Sequence, residues 1–281
     1  MASKAKSQPV TLPPPGPSLT LPPVPFVQEQ DFAARQYRGR RDNQEDYHAF
    51  ADASEPHEQP LSRLLLVVGD GLGAHSGGNV ASYLAVGSFI KSFHDNELSI
   101  SWRLRVALEA ANETLGIMSS RLPAMEYTMG TTLLAVLVSH GALSWISVGD
   151  SPLFLFREGK LQRLNADHSL TPIIEERVRK GDLTEEEGAN HPERHVLQSA
   201  LLGHPLTLVD CVPEPLNLEK GDIIIGASDG ILTLSDRQLE DLLSFGKHTT
   251  ADKIADAIIF AIRRVNAERQ DNVTVGVVKI A

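Results

Sequence analysis

Five acidic residues and one arginine are spaced so that together they could hold hard cations and a phosphate. Asp70 and Asp229 each close an apolar run, and each is followed by glycine. A carboxylate at the end of a buried strand is held rigidly and points out of the sheet, and a glycine beside it lets backbone approach a ligand closely. The Gly71 carbonyl then offers a second oxygen next to Asp70. Asp271 stands just before another apolar run, and the adjacent pair Glu45 and Asp46 follows Arg40 and Arg41. Oxygen donors without histidine or cysteine favour Mg²⁺ or Mn²⁺ over zinc or copper. Two such ions can activate water and neutralise a phosphate, and a guanidinium fork suits a tetrahedral oxyanion. Read singly, an Asp-Gly after a strand is a turn or a helix cap, and Glu45-Asp46 is an exposed charged turn. Repetition of the device along one chain is what points to chemistry.

Those residues need rigid carriers. Residues 64–68 and 223–225 are apolar, partly β-branched runs that read as buried strands. Helical periodicity covers 79–93 and 102–121, the second with Leu104, Ala107, Leu108, Ala111 and Leu115 on one face. Residues 131–139, 143–148, 153–156 and 161–164 are short β-prone runs joined by tight turns, as antiparallel strands are. Asp150, also at a strand end, reads as a turn residue. Residues 167–203 form a charged excursion with short helices expected at 171–180 and 184–190. It is either a decorative loop or a substrate-facing flap. The histidines spread through it, His168, His191, His195 and His204, follow no zinc spacing. Helices are expected at 236–245 and 251–265, before a last strand at 273–280.

Composition narrows the function classes. The chain has 281 residues, a net charge of -10 and a single cysteine, Cys211. That charge argues against nucleic acid or an anionic membrane as partner. One cysteine excludes an internal disulfide framework and a thiolate metal cluster, and fits a reducing compartment. No apolar run is long enough to span a bilayer. A cytoplasmic, monomeric protein is expected. Residues 1–25 carry eight prolines and read as a disordered proline-rich tail; residues 26–281 would form the domain.

Seven short motifs stand in order: Arg41 through Glu45-Asp46; Val68-Gly69-Asp70-Gly71-Leu72-Gly73-Ala74-His75; Met129-Gly130-Thr131-Thr132; Val148-Gly149-Asp150-Ser151; Ala166-Asp167-His168-Ser169; Ala227-Ser228-Asp229-Gly230; and Asp271-Asn272-Val273-Thr274. With them the chain resembles the PPM/PP2C family of metal-dependent protein serine/threonine phosphatases, bacterial type, from about Gly39 to Ile280. The resemblance implies an α+β fold, a four-layer α-β-β-α sandwich of two antiparallel sheets flanked by helices. It implies hydrolysis of phosphoserine and phosphothreonine monoesters by metal-activated water at a binuclear Mn²⁺ or Mg²⁺ site. Asp70 would bridge the ions and Gly71 would lend its carbonyl. Asp229 and Asp271 would complete one ion, and Glu45 and Asp46 would serve the other. Arg41 would bind the phosphate, His75 would protonate the leaving oxygen, and Asn272 would support from behind. The partners implied are phosphorylated proteins, targets of a serine/threonine kinase. Three departures stand out, one of them Ala74 in place of a common glycine. Gln44 replaces the usual asparagine, leaving Arg40 as an alternative first arginine. Tyr127 occupies the place of a third-metal aspartate, so a third site would be weak or empty. A catalytically dead binding module and a phosphatase dedicated to a single partner are the competing readings.

Overall fold

The structure, a computed structural model, describes residues 25–73, 77–121, 129–212 and 214–281. Residues 1–24 of the expected tail, His75 and Tyr127 lie outside the described residues.

In chain order the first half contains β1 (Phe32–Tyr37), β2 (Tyr47–Asp52), β3 (Arg63–Gly69), β4 (Gly71–Leu72), α1 (Gly77–His94), α2 (Ile100–Ser119), β5 (Gly130–Thr131) and β6 (Leu133–Ser139). There follow β7 (Ala142–Val148), β8 (Leu153–Arg157), β9 (Lys160–Arg163), α3 (Thr171–Lys180), α4 (Glu185–Ala189), β10 (Asp210–Cys211) and β11 (Leu216–Asn217). The chain closes with β12 (Ile223–Ala227), a 3-10 turn (Asp229–Thr233), α5 (Asp236–Gly246), α6 (Ala251–Val265) and β13 (Val273–Lys279).

One sheet runs β1-β13-β12-β8-β9; the other runs β10-β7-β6-β3-β2, with β11 also on β7. Every paired strand is antiparallel. Side-chain alternation turns each central strand into two walls. Leu64, Leu66 and Val68 of β3 face the other sheet, where they meet Leu155, Ile224 and Val278. Leu65 and Val67 face Phe89, Leu104 and Leu108 of α1 and α2. Across the molecule, Val273, Val275 and Val277 of β13 pack on Leu239 of α5 and Ile254 and Ile258 of α6. Three apolar clusters therefore separate four layers, helices outside and sheets within, as the resemblance implies. Burial on both faces explains why β3 and β12 read as unbroken apolar runs.

Local chemistry sets the helix ends. Ser235 and Gln238 form a capping box at α5, and Thr184 and Glu187 form one at α4. Gly181, with φ of 81°, closes α3 in the left-handed conformation. The structure differs from expectation at the central motif. Gly71–Leu72 is not a free turn but a two-residue strand paired with Gly130–Thr131. The expected strand 131–139 is accordingly broken at Thr132, whose backbone N–H donates to the Asp70 carbonyl at 2.9 Å.

Candidate metal and phosphate site

The C-terminal ends of β3 and β12 and the N-terminal ends of β2 and β13 meet at one edge of the sandwich. They carry Asp70, Asp229, Asp46 and Asp271 respectively. Asp70 and Asp46 are each placed by a separate lock. The Asp70 backbone is held on both sides by the threonine pair: its N–H donates to Thr132 Oγ1 at 3.0 Å, and its carbonyl accepts from Thr131 Oγ1 at 2.9 Å. Asp46 is 4% exposed. Its Oδ2 accepts from Ser228 Oγ at 2.7 Å and from Thr274 Oγ1 at 2.9 Å. Its Oδ1 is buried with no partner among the described residues. Gln44 Oε1 accepts from the Asp46 N–H at 3.1 Å and so caps this turn.

Asn272 secures the loop before β2. Its Oδ1 accepts from the Glu45 N–H at 2.7 Å, and its Nδ2 donates to the carbonyls of Arg38 and Asn43. Gly39, at φ of 67°, lets this loop lie against the 270–271 backbone, where a Cβ would come within 2.3 Å of the Asp271 carbonyl. Arg41 Nη2 reaches Asp271 Oδ2 at 2.6 Å, whereas Arg40 pairs with Asn266 at the periphery. That geometry favours Arg41 as the arginine at the site.

Electrostatics unites the cluster. Burial pushes the Asp70 carboxyl well above its ordinary range, and Asp46, Asp229, Asp150 and Asp271 push it further. Burial also lifts Asp46 to about 7, against the two hydroxyl hydrogen bonds that lower it. Asp229 stands at about 6, raised first by burial and then by Asp271, and lowered by His195, by a hydrogen bond with Asp70 and by Arg41. Glu45 is raised by burial. Asp150 belongs to the same field: it is 7% exposed, and burial followed by the Asp229 charge raises it to about 7. The reading of Asp150 as a turn residue is thus incomplete. Its signal was the strand-end position it shares with Asp70 and Asp229. Ser228, Thr274, Thr131 and Thr132 gave no signal beyond lying inside motifs. His168 is no ligand; its Nδ1 accepts from the Gly149 N–H at 3.1 Å, and burial lowers its pKa.

The residues fit a divalent pair by the chemistry of their donors. All are hard oxygens, their mutual repulsion is only partly offset by Arg41 and His195, and Asp46 Oδ1 is an orphan. As they stand, no three His, Cys, Asp or Glu side chains among the described residues converge closely enough to hold an ion.

Gly71 is required by space. A Cβ there would stand 2.2 Å from the Gly78 carbonyl and 2.4 Å from that of Glu45. Gly71→Ala is expected to cost more than about 2 kcal/mol, read as a fall in the urea midpoint. An unchanged midpoint would mean that α1 and the Glu45 loop shift apart freely.

A protein phosphatase 2C family profile matches residues 42–252. The chain is 30% identical over 254 residues to the serine/threonine protein phosphatase PstP of Mycobacterium tuberculosis, covering 89% of this chain and 45% of that protein. It is 28% identical to the serine/threonine phosphatase stp of Listeria monocytogenes, covering 75% of this chain and 82% of that one. A solved catalytic domain of PstP, in complex with two manganese ions, superposes with a TM-score of 0.69 at 28% identity, covering 89% of this chain and 98% of that one. The chain thus spans under half of PstP but nearly all of its solved catalytic domain. The profile runs from the loop that carries Glu45 and Asp46 into α6, and the chain belongs to the protein phosphatase 2C family.

Proposed function

We propose that this chain hydrolyses phosphoserine and phosphothreonine monoesters of proteins at a binuclear Mn²⁺ or Mg²⁺ site. One observation carries the reading: at a single sheet edge, in a chain of this family, burial first and neighbouring carboxylates second raise the pKa of Asp46, Asp70 and Asp229, which come from distant segments. A similar catalytic domain with two manganese ions supports the choice of cation. When bound, the two ions would supply an activated water and offset the charge of the phosphate.

The protein's own residues do the rest. Asp70, the Gly71 carbonyl, Asp229, Asp271, Glu45 and Asp46 would hold the ions. Ser228 and Thr274 keep Asp46 aimed by fixing Oδ2 and leaving Oδ1 free. Arg41 would bind the ester's phosphate; its side chain is 60% exposed and only its Nη2 is seen donating to Asp271, which leaves other N–H groups of the guanidinium for the phosphate. His75, beyond the described residues, is assigned the proton for the leaving alkoxide. The substrates would be targets of a serine/threonine kinase in the cytoplasm, met by a monomer. Among the described residues no helix is long and apolar enough to cross a membrane.

The test is metal removal with two leaving groups. Chelated protein should turn over neither an aryl phosphate nor a phosphothreonine peptide, and Mn²⁺ should restore both. His75→Ala should then slow the peptide at least about tenfold more than the aryl ester, because an alkoxide needs a proton and a phenolate needs it less. Full turnover after exhaustive chelation would overturn the metal-dependent reading. Equal losses on both esters would remove His75 from the acid role.

A further inference from the structure

Lysine is scarce in this acidic chain, and its distribution is uneven. Of the seven lysines outside residues 1–24, four (Lys220, Lys247, Lys253 and Lys279) line one cleft of about 520 Å³ together with His248. The cleft lies where β12 begins and β13 ends. The catalytic carboxylates sit at the opposite ends of those strands, about 20 Å away at the rise of an extended chain.

The neighbouring carboxylates are partly engaged by other groups, although the Asp31 charge also acts on Lys279 and that of Lys253 on Asp252. Glu219 pairs with Arg157 at 2.8 Å, and Glu29 lies 3.5 Å from Arg35. Asp31 Oδ2 accepts from the Val27 N–H, and Asp252 accepts from Thr250 Oγ1. Among the described residues no side-chain ion pair involves any of the four lysines. Lys279 donates instead to the Thr249 carbonyl, and burial lowers its pKa. The lysines outnumber the carboxylates on the walls, with Asp31 and the carboxylate of Ala281 both counted. The first two N–H groups of α6 are taken by the Gln30 and Glu29 carbonyls, so binding falls to the ammonium groups, with only the helix dipole behind them.

We propose that this cleft binds a compact polyanion of the oligophosphate class, at a site separate from the catalytic centre. Flexible ammonium groups act as point charges and suit a chain of phosphates. The cleft's volume is in the range of small-ligand sites. No phenyl, phenol or indole ring lines it, so recognition rests on charge.

Calorimetric titration of the full chain with magnesium tripolyphosphate, and separately with magnesium ATP, tests the site. Saturable binding is expected, falling at least about tenfold in Lys247→Ala/Lys253→Ala and persisting in Asp70→Asn. Equal affinity for the two ligands assigns recognition to the phosphate chain alone, and a preference for ATP adds a share from the nucleoside. Binding lost in Asp70→Asn but kept in the lysine variant would place the anion at the catalytic edge and overturn the proposal. So would no binding to wild type at about millimolar ligand. The lysine variant should keep its basal turnover of an aryl phosphate within about twofold of wild type, since neither lysine is near the catalytic edge. A larger loss would also count against a separate site.

Discussion

Asp229→Asn is expected to lower hydrolysis of a phosphothreonine peptide by more than about a hundredfold while leaving the circular dichroism spectrum native. Removing a group that merely supports a metal ligand costs about 10–100-fold, so removing a proposed ligand should exceed that. The substitution keeps shape and discards charge. In the metal-free protein that charge is a burden, because burial and Asp271 raise the Asp229 pKa to about 6. Loss of activity should therefore come with equal or higher thermal stability in chelator. Initial rates in Mn²⁺ and a melt in chelator check both halves. A rate within about threefold of wild type would remove Asp229 from the site, and a melting temperature well below wild type would attribute the loss to misfolding.

The stability of the metal-free protein near neutral pH should rise in Asp46→Asn, and the gain should vanish in acid. The folded pKa of Asp46 is about 7, against an ordinary 3.8, with burial the main cause. A carboxyl raised on folding binds its proton more tightly in the folded state. Its contribution is fully present below about pH 4 and is lost as pH climbs to about 7. Each pH unit separating the folded from the unfolded pKa corresponds to about 1.4 kcal/mol, so the loss is on the order of a few kcal/mol. The asparagine side chain would resemble the protonated acid: its oxygen can accept from Ser228 and Thr274, and its amide replaces the partnerless Oδ1. His168, which is buried, and His48, which is half-buried, have pKa values lowered by burial and tilt the curve the other way, so the readout is the difference between variant and wild type. That difference in melting temperature should grow from near zero at about pH 4 to clearly positive at about pH 8. A variant less stable than wild type across the whole range would refute a strained carboxylate at this position. Saturating Mn²⁺ should reverse the order, because wild type alone keeps the full set of charged donors.

The amino-acid sequence by itself determined the strand-Asp-Gly device at Asp70 and Asp229, the acidic pair Glu45-Asp46, and Asp271 ahead of the last strand. It also set α3 at Thr171–Lys180 and α6 at Ala251–Val265, both bounded as the periodicity predicts. These features are local: apolar period, glycine and capping chemistry act within a few residues. The tertiary structure alone decided which distant groups meet. Antiparallel pairing of β12 with β13 puts Ser228 beside Thr274, and together they hold Asp46 from the far end of the chain. The break at Thr132 could not be read from a run of β-prone residues, since it exists to lock the Asp70 backbone. Asp150 joins the acidic field because β8 lies beside β12, a pairing no local pattern encodes. The β12–β13 pairing brings Lys220 near Lys279 at the opposite edge, and packing of the α5–α6 junction adds Lys247 and Lys253, where the pattern of single residues showed only scattered charge. Strand order and register bring together residues tens to hundreds of positions apart, and long-range pairing of that kind is energetic information stored in the packed core, not in any short stretch of chain.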